Sequence, residues 1–371
     1  MLLDSVRAAL ASRSQTLLPS LHAEGTDCYR LFHGATEGEP GCTLERFGDL
    51  LLWQTFRDPP DMDPQELLPR LRDLVEDETG VPLRAVHWNA RQKRQRSREG
   101  VLVPPGAPLL AAEHVGSEIG LKYRIDVRPP GRDPNLYLDF RAARRWLAAN
   151  SEGRDVLNAF AFTCGAGVAA LAGGARHVTN LDFSQSALDV GRENARLNGL
   201  PAGAFECVCG DALPALRQLA GLPTNTDRRS RGGRGRGGGR GGDRRASGRG
   251  GGGASSLAPR LRQRAFDVVV LDPPTWTKTA AGAVDLVRDY QSLFKPCVLA
   301  TRPGGTVLAV NHVASVELDE WVDSLERCAK KAGRPLEDVT VLPPEQDYPS
   351  PDGKHPLKMA LARVAAGSAP L

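Results

Sequence analysis

The run AFDVVVLDPP (265–274) ends on Asp272-Pro273-Pro274, followed by Thr275 and Trp276. Two prolines remove backbone donors and fix φ, so carbonyl oxygens and the Asp272 carboxylate face whatever binds beyond the strand. A second stretch, Gly165-Ala166-Gly167-Val168-Ala169-Ala170, has the G-x-G-x-x-A spacing of a strand-to-helix turn at which a cofactor meets bare backbone. That spacing alone suits a dehydrogenase and a methyltransferase equally. Asp182, about 17 residues after Gly165, is placed to accept hydrogen bonds from two ribose hydroxyls, and Asp211 in CGDA to meet an adenine amino group. Either aspartate could instead be a helix cap. The Asp-Pro-Pro turn favours methyl transfer over hydride transfer, because it arms the crevice through which a methyl group must travel.

These motifs need strands that end at one edge and helices that return the chain. DVLNAFAF (155–162), HVTNLDF (177–183), AFECVCGDA (204–212), AFDVVVLDPP (265–274), TVLAVNH (306–312), VTVLP (339–343) and LKMALARV (357–364) read as strands. VAALAGG (168–174), SALDVGRENARLNGL (186–200), LPALRQLA (213–220), VDLVRDYQSLFKPCVLA (284–300) and ELDEWVDSLERCAKKAG (317–333) read as helices, with a turn at RPGG (302–305). Alternation of this kind predicts an α/β fold with right-handed βαβ units and a seven-stranded, mostly parallel sheet. The chain before about Val115 differs, with short glycine-punctuated strands in CYRLFHGATEGEPGCTLERFGDLLLWQTFRDP (28–59). We therefore expect an N-terminal helix over 1–24, a small α/β domain over 25–115 and a Rossmann-like domain over 116–371.

Charge is unevenly spread. The formal net charge is +4, yet nine arginines and two aspartates between Asp227 and Arg249 contribute +7, leaving −3 elsewhere. Glycine and arginine without apolar residues cannot offset ordering entropy, so the tract at 223–256 is expected to be disordered, either as an RNA contact or as a tolerated spacer. It falls between a helix and the next strand, so it should leave on the edge away from the chemistry. A second basic run, RQKRQRSR (91–98), is read as a phosphate contact or as a solvated face. The seven cysteines form no CxxC pair and no His-interleaved zinc pattern, which argues against a structural metal and for a reducing compartment. No apolar run is long enough to span a bilayer. The start of the chain reads as an amphipathic helix rather than an organelle transit peptide, since Asp4 is acidic, and a cytoplasmic location follows.

TDCYRLFHGATEGEPGCTLERFGDLLL, LYLDFRAARRWL, LNAFAFTCGAGVAALAGGARHV, RENARLNGL, LDPPTW, VRDY and PGGT together resemble the bacterial large-subunit ribosomal RNA methyltransferases, a family with cytosine-C5 and guanine-N7 members. The resemblance covers Thr26 to Val364 apart from the Arg-Gly tract. It implies a class I methyltransferase domain behind a small α/β domain, S-adenosylmethionine as cofactor and RNA, such as large-subunit ribosomal RNA or a ribosome precursor, as partner. The RNA-binding PUA domain that often precedes the family's small domain is not expected here. By the same resemblance Phe162, Thr163, Cys164, Gly165, Asp182, Phe183, Asp211, Ala212 and Asp272 form the cofactor site, with Tyr137, Asp139 and Arg141 beside it, although Cys164 stands where the family has glycine. Asp272, Pro273, Pro274 and Asn311 are the expected catalytic set.

Cytosine C5 is not nucleophilic, so C5 methylation first needs a cysteine thiolate added at C6. The family's C5 members keep that thiol just after the strand that here reads VNHVAS, which offers Asn311 and His312 instead. A nitrogen acceptor such as guanine N7 already has a lone pair and needs chiefly alignment. Guanine N7 is therefore favoured over cytosine C5. Thr275 replaces the aromatic that exocyclic-amine enzymes place after the prolines, while Trp276 is either a stacking surface for an extruded base or core. His312 is a donor near the base or a strand-end histidine. Two further readings stay open: a methyltransferase for a small molecule or protein, and a non-catalytic RNA-binding or ribosome-assembly factor.

Overall fold

The computed structural model describes residues 2–56, 64–91, 99–102, 114–127, 134–224, 261–274, 276–279, 282–285 and 289–367. The basic run beyond Arg91, nearly all of the Arg-Gly tract, Thr275 and the first two residues of VRDY lie outside these residues.

Helices α1 (Leu2–Thr16) and α2 (Leu18–Ala23) open the chain; Pro19 in the first turn of α2 separates them, so the single helix expected over 1–24 is two. Strands β1 (Cys28–His33), β2 (Cys42–Phe47), β3 (Leu50–Thr55), β4 (Ala85–Ala90) and β5 (Glu99–Leu102) form one sheet in that order. Helix α3 (Pro64–Thr79) carries the chain from β3 to its parallel neighbour β4. Leu10, Tyr29, Leu31, Trp53, Leu67, Leu71 and Val86 fill its core, and Trp53 stacks on Trp88 with centroids 5.7 Å apart. A hairpin of β6 (His114–Glu118) and β7 (Leu121–Ile125) follows. Residue 115, where a change of domain was expected, falls inside β6, and buried Tyr123 and Ile125 on this hairpin join one core that runs from Cys28 and Leu50 to Val156 and Leu308.

The 3-10 turn Leu138–Phe140 leads into α4 (Arg141–Asn150) and then into the large sheet. Its strands are β8 (Asp155–Ala159), β9 (His177–Asp182), β10 (Phe205–Cys209), β11 (Phe266–Leu271), β14 (Thr301–Asn311), β15 (Leu336–Leu342) and β16 (Lys358–Val364), and a separate hairpin holds β12 (Trp276–Thr279) and β13 (Gly282–Asp285). The order across the sheet is β10-β9-β8-β11-β14-β16-β15, with β16 antiparallel to both neighbours and the first five parallel. The seven-stranded, mostly parallel sheet read from the sequence is thus present. Helices α5 (Gly165–Ala172), α6 (Gln185–Leu197), α7 (Ala212–Leu219), α8 (Tyr290–Ala300) and α9 (Leu318–Lys331) make the connections. The chain builds outward from β8 to one side and then from β11 to the other, so a crevice opens beyond the carboxyl ends of these two strands.

Local differences from the sequence reading have physical causes. Strand β8 stops at Ala159, because Phe160 and Phe162 turn to φ 61° and 47°. The helix expected from 284 begins at Tyr290, since Gly282–Asp285 pairs with Trp276–Thr279 instead. RPGG is no separate turn but the irregular start of β14, where the pairing with β11 shifts register. The stretch flanking the Arg-Gly tract returns at the amino edge of the sheet, where Arg264 reaches His177, the first residue of β9, at 3.2 Å.

Candidate active site

Each candidate side chain is delivered by the end of a strand. Gly165 follows the turn after β8, Asp182 closes β9, Asp211 lies just past β10, and Asp272 comes directly after β11. The four positions therefore share the carboxyl edge of one sheet. A crevice of about 830 Å³ lies there, lined by Tyr137, Asp139, Phe162, Thr163, Gly165, Asp182, Phe183, Asp272 and Pro274 among the expected site residues, and also by His312.

The turn after β8 is built on unusual backbone. Phe160, Phe162 and Cys164 all have positive φ, a conformation costly for side-chain-bearing residues that survives only where surroundings impose it. The surroundings are visible: the Asp182 carboxylate accepts from the Phe162 and Ser184 amides at 2.8 Å each, Asn194 donates to the Thr163 carbonyl at 3.0 Å, and the Thr163 hydroxyl donates to Asn135 at 2.6 Å. The two glycines of the fingerprint sit inside α5 rather than in the turn. A Cβ on Gly167 would come within 2.1 Å of the buried Asn180 carboxamide oxygen, so this glycine lets helix and sheet pack. A Cβ on Gly165 would meet nothing nearer than 3.6 Å, so that glycine serves the crevice and not the packing.

The walls divide by chemistry. Tyr137 and Phe162 form an aromatic pair with centroids 5.4 Å apart, and Phe183 stands 75% exposed at the rim, an open apolar face for a ring. Four aspartates, Asp126, Asp139, Asp182 and Asp272, line the crevice against two cationic types, Arg144 and His312. Arg144 is neutralised by Glu118, at 2.5 and 2.8 Å. The field is therefore negative, which attracts a sulfonium cation and repels the pyrophosphate of a dinucleotide. Burial raises the Asp182 carboxyl against the opposing pull of its backbone donors, and burial likewise raises Asp139 despite nearby His312 and Arg30. His312 Nε2 lies 2.6 Å from Asp272 Oδ1. Burial disfavours the imidazolium, but the Asp272 carboxylate outweighs it and the net direction is upward.

Several expected members stand elsewhere. Arg141 is fully buried and binds Glu118 at 3.2 Å, Asp347 at 2.8 Å and the Cys28 carbonyl at 3.0 Å; it braces the small sheet against the large one and does not line the crevice. Arg144, one helical turn on, takes the lining position. Asp211 caps α7 by accepting from Leu213 at 3.2 Å, and neither it nor Ala212 lines the crevice. Cys164 is buried and its thiol is pushed well up by burial, so it holds the turn without reaching the cavity. Pro273 is buried and does not line the crevice, whereas the exposed Pro274 does. Asn311 is sealed at the end of β14 with its side-chain carboxamide oxygen accepting from the Val313 amide at 2.8 Å, and it is the next residue, His312, that enters the crevice. Asn194, not singled out individually, ties α6 both to the Thr163 carbonyl and to the Arg124 amide at 2.8 Å; the motif RENARLNGL was its only trace in the sequence.

This strand order, with a methyl-donor crevice at the switch point, defines the class I methyltransferase fold. A family model for S-adenosylmethionine-dependent methyltransferases matches residues 29–224, more than half of the chain. Ribosomal RNA large subunit methyltransferase I of Aeromonas hydrophila is 28% identical over 328 residues, spanning 88% of this chain and 71% of that protein. The protein of that name from Klebsiella pneumoniae (strain 342) is 27% identical over 333 residues, spanning 88% and 70%. A solved methyltransferase complexed with SAH superposes with TM-score 0.70 at 16% identity, over 98% of this chain and 82% of that one. The SAM-dependent methyltransferase from Agrobacterium tumefaciens gives TM-score 0.54 at 18% identity, over 88% of each chain. The chain belongs to the S-adenosylmethionine-dependent methyltransferase family, and S-adenosylmethionine is its cofactor.

Proposed function

We propose that the chain methylates a base of large-subunit ribosomal RNA, with guanine N7 as the acceptor atom. When bound, S-adenosylmethionine supplies an electrophilic methyl group on a positively charged sulfur. The residues at the crevice fit such a donor: Gly165 and Ala166 offer bare backbone at the amino end of α5, Asp182 stands where ribose hydroxyls would lie, and Phe183 offers a ring face. Tyr137, Asp139 and Thr163 complete the wall. Asp272 and Pro274 narrow the far side, and they orient the acceptor rather than exchange a proton with it, since guanine N7 carries none. The RNA assignment rests on the named relatives and on the presence of a small domain whose sheet shares a core with the large one.

The observation that carries the choice of atom is that none of the seven cysteines lines the crevice. Cytosine C5 methylation would need one there as a thiolate. Nucleosides of ribosomal RNA from cells with and without the gene, resolved by mass spectrometry, test the proposal. Loss of 7-methylguanosine is expected; loss of 5-methylcytidine would transfer the assignment to the C5 branch, and an unchanged profile would favour the assembly-factor reading.

A further inference from the structure

The crevice holds one imidazole. His312 follows β14 and is fixed through Nε2 on Asp272 Oδ1 at 2.6 Å, and among the described residues its Nδ1 has no hydrogen-bond partner. The charged groups around the ring come from three elements besides its own. Asp272 extends from β11, Asp139 from the 3-10 turn before α4, and Lys358 from β16. The Lys358 ammonium, held by the Val313 and Pro356 carbonyls at 2.9 and 3.1 Å, opposes protonation of the ring, but its effect is smaller than that of either carboxylate. Two carboxylates thus flank the imidazole and favour the form with both nitrogens protonated. In that form Nε2–H donates to the Asp272 carboxylate and Nδ1 can only donate.

A donor that cannot accept discriminates between purines. On its major-groove edge guanine offers two acceptors, N7 and O6, whereas adenine offers the acceptor N7 beside a donating amino group. We propose that His312, held on Asp272, donates from Nδ1 to the carbonyl oxygen that neighbours the acceptor nitrogen, and is thereby the residue that selects guanine. This rests on the N7 reading above. Asp272 is then the positioning residue for His312, which explains why the aspartate is spent on an internal hydrogen bond. The competing use of the same pair is a proton acceptor: a neutral imidazole donating to Asp272 through Nε2 would have a lone pair on Nδ1, suited to an amine that must lose a proton.

The two uses separate in one set of measurements on the full chain, with undermethylated large-subunit ribosomal RNA as substrate. The methylated nucleoside is identified first by mass spectrometry, so a failure of the N7 reading shows itself there. For wild type, kcat/KM is expected to fall as pH rises through the imidazole titration. His312→Gln keeps a donor that does not titrate and should retain most activity with a flat profile. His312→Ala should lose about 10- to 100-fold in kcat/KM, while S-adenosylmethionine affinity, read by calorimetry, stays within threefold and reports an intact fold. On an RNA fragment bearing 2-aminopurine at the mapped position, which keeps N7 and lacks O6, wild type should lose a similar factor and His312→Ala should lose little more. A wild-type rate that rises with pH and becomes flat in His312→Gln, or equal activity of wild type and His312→Ala, overturns the proposal even when 7-methylguanosine is the product.

Discussion

Replacing Arg141 by methionine tests whether this residue serves the fold or the cofactor. Its guanidinium is sealed from solvent and meets Glu118 at 3.2 Å and Asp347 at 2.8 Å, while Arg144 meets Glu118 at 2.5 Å. Two guanidinium groups and two carboxylates make the cluster neutral. Methionine restores much of the volume but leaves an uncompensated negative charge with no water to solvate it. Breaking a buried pair in this way costs about 3–5 kcal/mol, a large share of the ~5–15 kcal/mol that holds a typical fold. Urea unfolding followed by circular dichroism should report that loss, whereas calorimetry on the folded variant should find S-adenosylmethionine affinity within threefold of wild type. Adding Asp347→Leu should return part of the stability, because the stranded carboxylate is then gone. A loss below about 1 kcal/mol, or a tenfold drop in cofactor affinity at unchanged stability, would refute the bracing role and restore the one read from the sequence.

Asp182→Asn keeps an acceptor but removes the charge that holds the Phe162 and Ser184 amides, so cofactor affinity should fall by roughly 1–3 kcal/mol, read by calorimetry. Gly167→Ala drives a methyl group against Asn180, which is itself held by Asn158 at 2.9 Å, and should cost about 1–3 kcal/mol, seen as a lower Tm. The His33 imidazole is lowered to about 4, first by burial and then by Arg30 and Arg13. The unfolded chain therefore binds more protons between about pH 4 and its ordinary value of 6.5, so stability due to this group is present above pH 6.5 and is lost as pH falls toward 4. In a sealed interior the effect would be about 3 kcal/mol; solvent at the half-buried ring reduces it to about 1 kcal/mol. Unfolding free energies of wild type and His33→Gln, compared across that window, should converge at the acid end.

The sheet was legible because β8, β11 and the end of β14 are buried on both faces and read as apolar stretches, and because each chemistry-bearing motif sits at a strand end. Asp182 and Asp272 followed from that position alone. Arg141 did not, since residues 141 and 144 lie on one helical face and only tertiary packing decides which of them meets Asp347. Asn311 and His312 are adjacent at a strand end, where side chains alternate, so the sequence offered both and the crevice took His312. Asp211 illustrates a third limit: the residue type that receives an adenine amino group also caps a helix, and here it caps α7. The short hairpin at β12 and β13 is not legible in the sequence, because Val284, Leu286 and Val287 run on into the amphipathic spacing of α8.

Gly165→Ala tests most directly whether cofactor lies against bare backbone at the carboxyl edge of the sheet. The added Cβ meets nothing nearer than 3.6 Å within the protein, and alanine favours a helix over glycine by about 1 kcal/mol, so Tm should hold or rise. Calorimetric titration with S-adenosylmethionine should nevertheless show affinity at least tenfold weaker than wild type, because the methyl group occupies space that belongs to the ligand. Unchanged affinity in a stable Gly165→Ala protein would contradict the placement of the cofactor.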